Sequence, residues 1–463
     1  MTTDVNIVRV FLGLVVAIGL IFYLSSKTKV HVFIAMILGS VVAGLIVGLP
    51  VNKITASIKS GFGGTLGSIG IIIGLGVMMG AIFEASGAAN KMALVFIKLL
   101  GKGKEDIAMA ITGFFVSIPV FCDSAMVILS PLAKSLSRKS GRSVVTIGCA
   151  LAAALLTTHS LVPPTPGPLA VVGYFNLDLG KFILIGLAYS IPIAISGVIY
   201  ARRVGNKSLF RLPDPADPEN KLIARPYSAE EIKHEEELEK DKTLPSAFMS
   251  FQPIFLPIIL ILINTIMSAA GVKGAVKTFF GLIGDPIVAV MIGVLVAIYG
   301  LAQNIERKKV VGMLDKSIQQ AGLIILVTGA GGALGQILKD SGAGSALANI
   351  MVHSHIPGIL LPFLMAYLLR FVSGSATVGM LTAGAMTAPI ILEMGTVNPY
   401  LAAVACCIGS IGVTNVHDSY FWVVNKCIGL TEMKDMFKNW FGCVLCLSTT
   451  GFVVLMVSSI FIH

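Results

Sequence analysis

Apolar runs of about 20 residues, the length that crosses a bilayer core, recur along this chain from one end to the other. A soluble fold does not accommodate that pattern. A soluble protein of 463 residues needs far more surface charge than the 13% present here beside 55% hydrophobic residues. Mean hydropathy is +0.89. Because lipid offers no partners to backbone N–H and C=O groups, an all-α membrane protein is expected. The first run, 5–24, carries Arg9 and lacks a small-residue cleavage site, so it reads as a transmembrane helix and not as a signal peptide. The formal charge of +10 suits basic cytoplasmic loops in a membrane in place of nucleic-acid binding. Seven cysteines sit mostly inside apolar runs, without a CxxC pair or Cys/His metal spacing, so no metal and no cofactor is expected.

Apolar spans are read at 5–24, 30–49, 62–83, 144–170, 181–201, 251–270, 285–303, 312–338, 398–424 and 438–461. Two further segments, 106–136 and 357–393, are long enough to cross twice but break in the middle. Lys and Arg in short loops mark the cytoplasmic side. Lys27 and Lys29, Lys91 to Lys104, Arg138 to Arg142, Arg202 and Arg203, and Arg307 to Lys309 then all fall inside. Each broken segment starts and ends on one side, which predicts two re-entrant helical hairpins beside about ten full spans. Residues 204–250 read as a solvated cytoplasmic linker between a first half, 1–203, and a second half, 251–463.

The halves resemble each other. Gly80-Ala81-Ile82-Phe83 lines up with Gly335-Gln336-Ile337-Leu338, Pro131 with Pro389, and His159 with His417. An odd number of spans in each half turns the repeats upside down, giving inverted five-helix repeats. In such folds the substrate sits near the midplane among broken helices.

Four breaks carry the polar chemistry. The first is Ser117 to Ser124, where Pro119 stops one arm and Asp123 and Ser124, good N-cap types, are expected to start the next. The N-terminus of that returning arm, together with Cys122 beside it, faces the tip, and Asp123 is a costly acid at membrane depth. The second is Thr157 to Pro168, with Thr158, His159, Thr165 and four prolines in six residues. That sequence cannot remain helical, and the imidazole of His159 is a candidate for accepting and releasing a proton. The third is Ser373, Gly374, Ser375 and Thr377, preceded by Arg370, whose planar fork matches a carboxylate. The fourth holds Thr414, Asn415, His417, Asp418 and Ser419 in the middle of a span. Asp123, His159, His417 and Asp418 are the candidates for proton coupling. Hydroxyl, amide and carboxylate groups beside helix N-termini suit a small hydroxylated organic anion.

At these breaks the chain resembles the gluconate:proton symporter family. The likeness lies in GFGGTLGSIGIIIGLG at 61–76, SIPVFCDSA at 117–125, THSLVPPTPGP at 158–168, GSAT at 374–377 and VHDSYFW at 416–422. The resemblance implies the fold of a wider ion-transporter superfamily with two hairpins, a homodimer in the bacterial inner membrane, sugar-acid substrates and coupling to protons, with D-serine as a side branch. Sodium-coupled relatives carry a Ser-Asn-Thr motif at both tips, which Cys122-Asp123-Ser124 and Ser373-Gly374-Ser375 do not match. A sodium-coupled carrier or an exchanger for another small organic anion is the competing reading. With neither HExxH nor GxSxG in the chain, an enzyme is not expected.

Overall fold

In the computed structural model the described residues are 7–26, 28, 30–208, 210–214, 222–223, 244–341, 357–412, 414 and 418–461. They form a helical protein whose long elements follow the apolar runs. The first half comprises α1 (Ile7–Ser26), α2 (Val32–Val47), α3 (Val51–Ala85), α4 (Ala88–Leu100), α5 (Glu105–Val116), α6 (Cys122–Ser140), α7 (Val144–Leu161), α8 (Pro166–Tyr174) and α9 (Leu179–Arg203). The second comprises α10 (Ala247–Ala269), α11 (Ala275–Ile283), α12 (Pro286–Val296), α13 (Arg307–Asp340), α14 (Leu360–Ser373), α15 (Ala376–Met394), α16 (Pro399–Ile411), α17 (Ser419–Ile428) and α18 (Gly442–Phe461). Among the described residues, seven helices have the length and hydropathy to cross a membrane, or eight if the pair α11–α12, bent by 61°, is one span.

Burial sorts the helices into a centre and a periphery. Every residue of α7 is buried, and α16 is buried from Leu401 to Ile411. These apolar helices carry no exposed face at all, so they form the axis against which others pack. Helices α3 and α13 run beside each other along their length. Their crossing is close because a Cβ on Gly61 would lie 2.3 Å from the Gly332 carbonyl oxygen. Small residues let two backbones approach in this way within a membrane.

Cross-links place the loops on two faces. At one, the Ser57 hydroxyl donates to Asp340 at 2.5 Å, joining the start of α3 to the end of α13. The Asp178 N–H donates to the Tyr400 hydroxyl at 3.3 Å on the same face. At the other, Arg142 pairs with Glu105 and Asp106, each at 3.7 Å, and Arg202 binds Asp106 at 2.5 and 3.0 Å. Arg142 and Arg202, expected as loop charges, are therefore structural: they hold the start of α5 to the α6–α7 turn and the end of α9.

The linker region is also less detached than its composition predicts. Leu212 is fully buried, and Leu212–Pro213 pairs antiparallel with Leu222–Ile223. The Val144 N–H donates to the Arg211 carbonyl at 2.9 Å, which docks this stretch at the start of α7.

Replacing Asp106 with Ala leaves Arg202 without its carboxylate. Because the Arg202 side chain keeps access to water, the expected loss is about 2 kcal/mol, below that of breaking a fully buried pair. A lowered melting temperature in detergent checks this.

Candidate functional site

Four helix breaks meet at one place. The first lies between α5 and α6, the second between α7 and α8, the third between α14 and α15, and the fourth between α16 and α17. Each has a local cause. Ser117 and Pro119 end α5, and the Ser117 hydroxyl donates to the Leu155 carbonyl at 2.8 Å, pinning this break to α7. Pro163 and Pro164 occupy the second, Pro166 and Pro168 open α8 after it, and the Thr165 hydroxyl donates to the Val162 carbonyl at 2.6 Å. Gly374 ends α14 in the left-handed region at φ +67°, a conformation that glycine adopts without strain. Ser375 then caps α15 by accepting from the Val378 N–H.

The breaks touch in a closed ring. The Ser419 hydroxyl of the fourth donates to Asp123 of the first at 3.3 Å. Asp418 of the fourth pairs with Arg370, which leads into the third. The Thr377 hydroxyl of the third lies 3.5 Å from His159 Nε2 of the second. The His159 ring lies 5.8 Å from that of Phe121, back at the first. Residues far apart in sequence, and from both halves, thus share one polar locus inside an apolar bundle.

Within the ring, charges are handled differently. Arg370 and Asp418 are both almost fully buried. Asp418 also accepts from the Thr414 hydroxyl at 2.6 Å and from the Tyr420 N–H at 3.0 Å, which makes it the N-cap of α17. Such a saturated carboxylate is well satisfied as an anion. Asp123 is only half-buried, and its contacts are weak: Ser419 and, at 3.6 Å, the Cys122 thiol. The expected cap role of Asp123 and Ser124 does not hold. Helix α6 starts at Cys122 after Phe121, with no side-chain cap bond, so Asp123 stands in the first turn with its carboxylate turned to Ser419.

Several buried polar atoms have no hydrogen-bond partner among the described residues: Thr158 Oγ1, His159 Nδ1, Ser160 Oγ and Arg370 Nε. Unsatisfied polar atoms at such depth are costly, and a polar ligand compensates them. Three of them belong to α7 beside its break. Ser160 did not stand out in the sequence, where it is one of many small hydroxyls.

Of the residues singled out from sequence, the ring brings together Cys122, Asp123, His159, Arg370, Thr377, Asp418 and Ser419. Thr165 and Ser375 are engaged in local backbone bonds, and Gly374 supplies a turn. Asn415 and His417, and the side chain of Ser373, lie outside the described residues. Among the described residues no group of three or more His, Cys, Asp or Glu side chains is arranged to hold a metal ion.

The family model described as GntP family permease matches residues 9–461. The chain belongs to the GntP permease family. It is 40% identical over 439 residues to a permease of Haemophilus influenzae, covering 93% of this chain and 88% of that one. It is 36% identical to the gluconate permease of Pseudomonas aeruginosa, with 97% of each chain covered. Identity to the D-serine transporter DsdX of Escherichia coli O6:H1 is 33%, with 92% of each chain covered. In fold it is similar to MtrF of Neisseria gonorrhoeae, with a TM-score of 0.66 at 14% identity, covering 96% of this chain and 97% of that one. This GntP permease is thus a multi-pass transporter of the bacterial inner membrane, and its work is transport and not catalysis.

In this GntP permease the buried Arg370–Asp418 pair is a stability element. Arg370→Met alone strands Asp418 and is expected to cost about 3–5 kcal/mol. Arg370→Met combined with Asp418→Asn removes both charges while keeping a cap-competent side chain, and should recover part of that loss. Thermal unfolding followed by size-exclusion chromatography measures both. Equal melting temperatures for the single and double variants would contradict the pairing.

Proposed function

We propose that this permease is a proton-coupled symporter for a small hydroxylated carboxylate, a sugar acid such as gluconate, bound within the ring of four helix breaks. The observation that carries the reading is the ring itself: hydroxyls, an unsaturated carboxylate, an imidazole and a guanidinium with a spare donor, all at the ends of interrupted helices. Helix N-termini and Arg370 Nε offer the carboxylate its donors, and Thr158, Thr377 and Ser124 face the sugar hydroxyls. Inverted repeats account for the layout. Helices α3 and α13 have 35 and 34 residues, and α6 and α15 have 19 each with one internal proline, Pro131 and Pro389. The pairs α5–α6 and α14–α15 then act as two re-entrant hairpins within about ten spans, and the protein works as the homodimer that its family resemblance implies.

Proton coupling falls to Asp123 in this reading, with His159 as its neighbour in the relay. Asp418 is already satisfied by Arg370, Thr414 and the helix cap, so it serves as the fixed counter-charge. Protonation of Asp123 would remove a charge that repels an incoming carboxylate, and substrate and proton would bind together.

One observation favours a second substrate class. A half-buried carboxylate that no Lys or Arg among the described residues neutralises at close range, beside a buried Arg, also suits a zwitterion such as D-serine, whose ammonium would lie against Asp123 and carboxylate against Arg370. Competition of D-serine against labelled gluconate in proteoliposomes distinguishes the two.

Asp123→Asn tests the coupling. It should abolish uphill accumulation driven by an inward proton gradient yet leave substrate counterflow measurable. Accumulation unchanged by the substitution would remove Asp123 from the mechanism.

A further inference from the structure

The helices that carry the site also frame a second cavity. Helix α8 has Thr165 at its N-cap and Tyr174 as its last residue. Helix α15 has Thr377 in its first turn and Glu393 in its last. At 1.5 Å per residue, Ala388 of α15 stands about 16 Å beyond Thr377 along the helix axis. Around those far ends lies a cavity of about 540 Å³, within the range of small-ligand sites. Its opposite wall is the outer part of α3 and the last turns of α13. The cavity sits on the face where Ser57 meets Asp340, away from the Arg142–Asp106–Arg202 cluster. The basic loops of the sequence lie on that cluster's side, so the cavity belongs to the outer, periplasmic face.

Its lining is polar and carries one charge of each sign. Thr65 and Ser68 of α3, Gln336 of α13 and Asn176 after α8 supply hydroxyls and amides. Lys339 and Glu393, both exposed, are the cation and the acid among the described lining residues. The floor is Tyr174. Its hydroxyl donates to the Thr328 carbonyl of α13 at 2.7 Å, and a Cβ on Gly331 would lie 2.3 Å from the Tyr174 hydroxyl oxygen. The Tyr174 ring is therefore wedged between α13 and α15, at the end of the helix that starts from the second break.

We propose that this cavity is an outer capture site for the transported hydroxylated monocarboxylate, with Lys339 as the counter-charge and Tyr174 as the partition between capture and the central site. The proposal rests on the functional reading above and adds to it a first stop on the substrate's path. The polar groups match a polyhydroxylated chain, and Lys339 matches its carboxylate. Glu393 lines the same cavity, and one lysine beside an acid matches a monocarboxylate better than a dicarboxylate.

Gly64 provides the probe. It lines the cavity, and a Cβ there meets nothing within 4 Å, so Gly64→Cys adds a thiol without disturbing packing. A membrane-impermeant thiol reagent is applied to Gly64→Cys on ice, where carrier turnover is stalled, with the parent protein as background. Gluconate should slow the labelling about threefold, and succinate should not. Lys339→Gln should raise KM for gluconate about fivefold with kcat unchanged, and the difference should shrink at high ionic strength. Absence of protection on ice, protection by succinate as strong as by gluconate, or a KM unmoved in Lys339→Gln would each overturn the capture site. Protection on ice in a protein that does not transport gluconate would leave the capture site standing and remove gluconate symport instead.

Discussion

The buried pair between Arg370 and Asp418 is the interaction on which the rest of the architecture depends. A charge at this depth is tolerated only when its partner is fixed and its remaining hydrogen bonds are met. Asp418 meets that condition through Thr414 and the backbone of α17, and Arg370 leads into the Gly374 turn. One ion pair thus fastens the α14–α15 break to the α16–α17 break. The Asp123–Ser419 and His159–Thr377 contacts then close the other halves of the ring.

That ring works because the helices around it are of two kinds. Helix α7 is buried throughout and α16 from Leu401 onward, and both end at their breaks, so their polar termini are delivered to the centre. Helices α3 and α13 are long, closely apposed and outside the ring, in contact with it through α8 and α15. The polar centre is thus held by interrupted helices beside an uninterrupted pair, and the proposed symport would need one part to shift against the other.

Much of this is legible in the sequence because the constraints are chemical. Four prolines from Pro163 to Pro168 break the helix, with Pro163 and Pro164 outside it and Pro166 and Pro168 in the first turn of α8, where proline is tolerated, and Gly374 with Ser375 reads as a stop followed by a cap. Asp123, His159, Arg370 and Asp418 stand out because ionisable residues are expensive in lipid. What the sequence conceals is pairing. Nothing in local composition says that Asp418 belongs to Arg370 and Asp123 to Ser419, since both choices cross between breaks far apart in the chain. Asp106 was equally hidden: beside Lys104 and Glu105 it looks like a loop acid, yet it is fully buried and binds Arg202. The cap of α6 falls two residues before the acid that resembles one, because Phe121 ends the extended stretch and Cys122 already opens the helix.

The central claim is that a carboxylate substrate and a proton move together through this ring. The most direct measurement is proton flux in proteoliposomes enclosing a pH-sensitive dye, with no imposed gradient and gluconate added outside. Coupled transport predicts that the lumen acidifies on addition of gluconate and that an uncoupler abolishes the signal. Gluconate uptake with no change in luminal pH would contradict it.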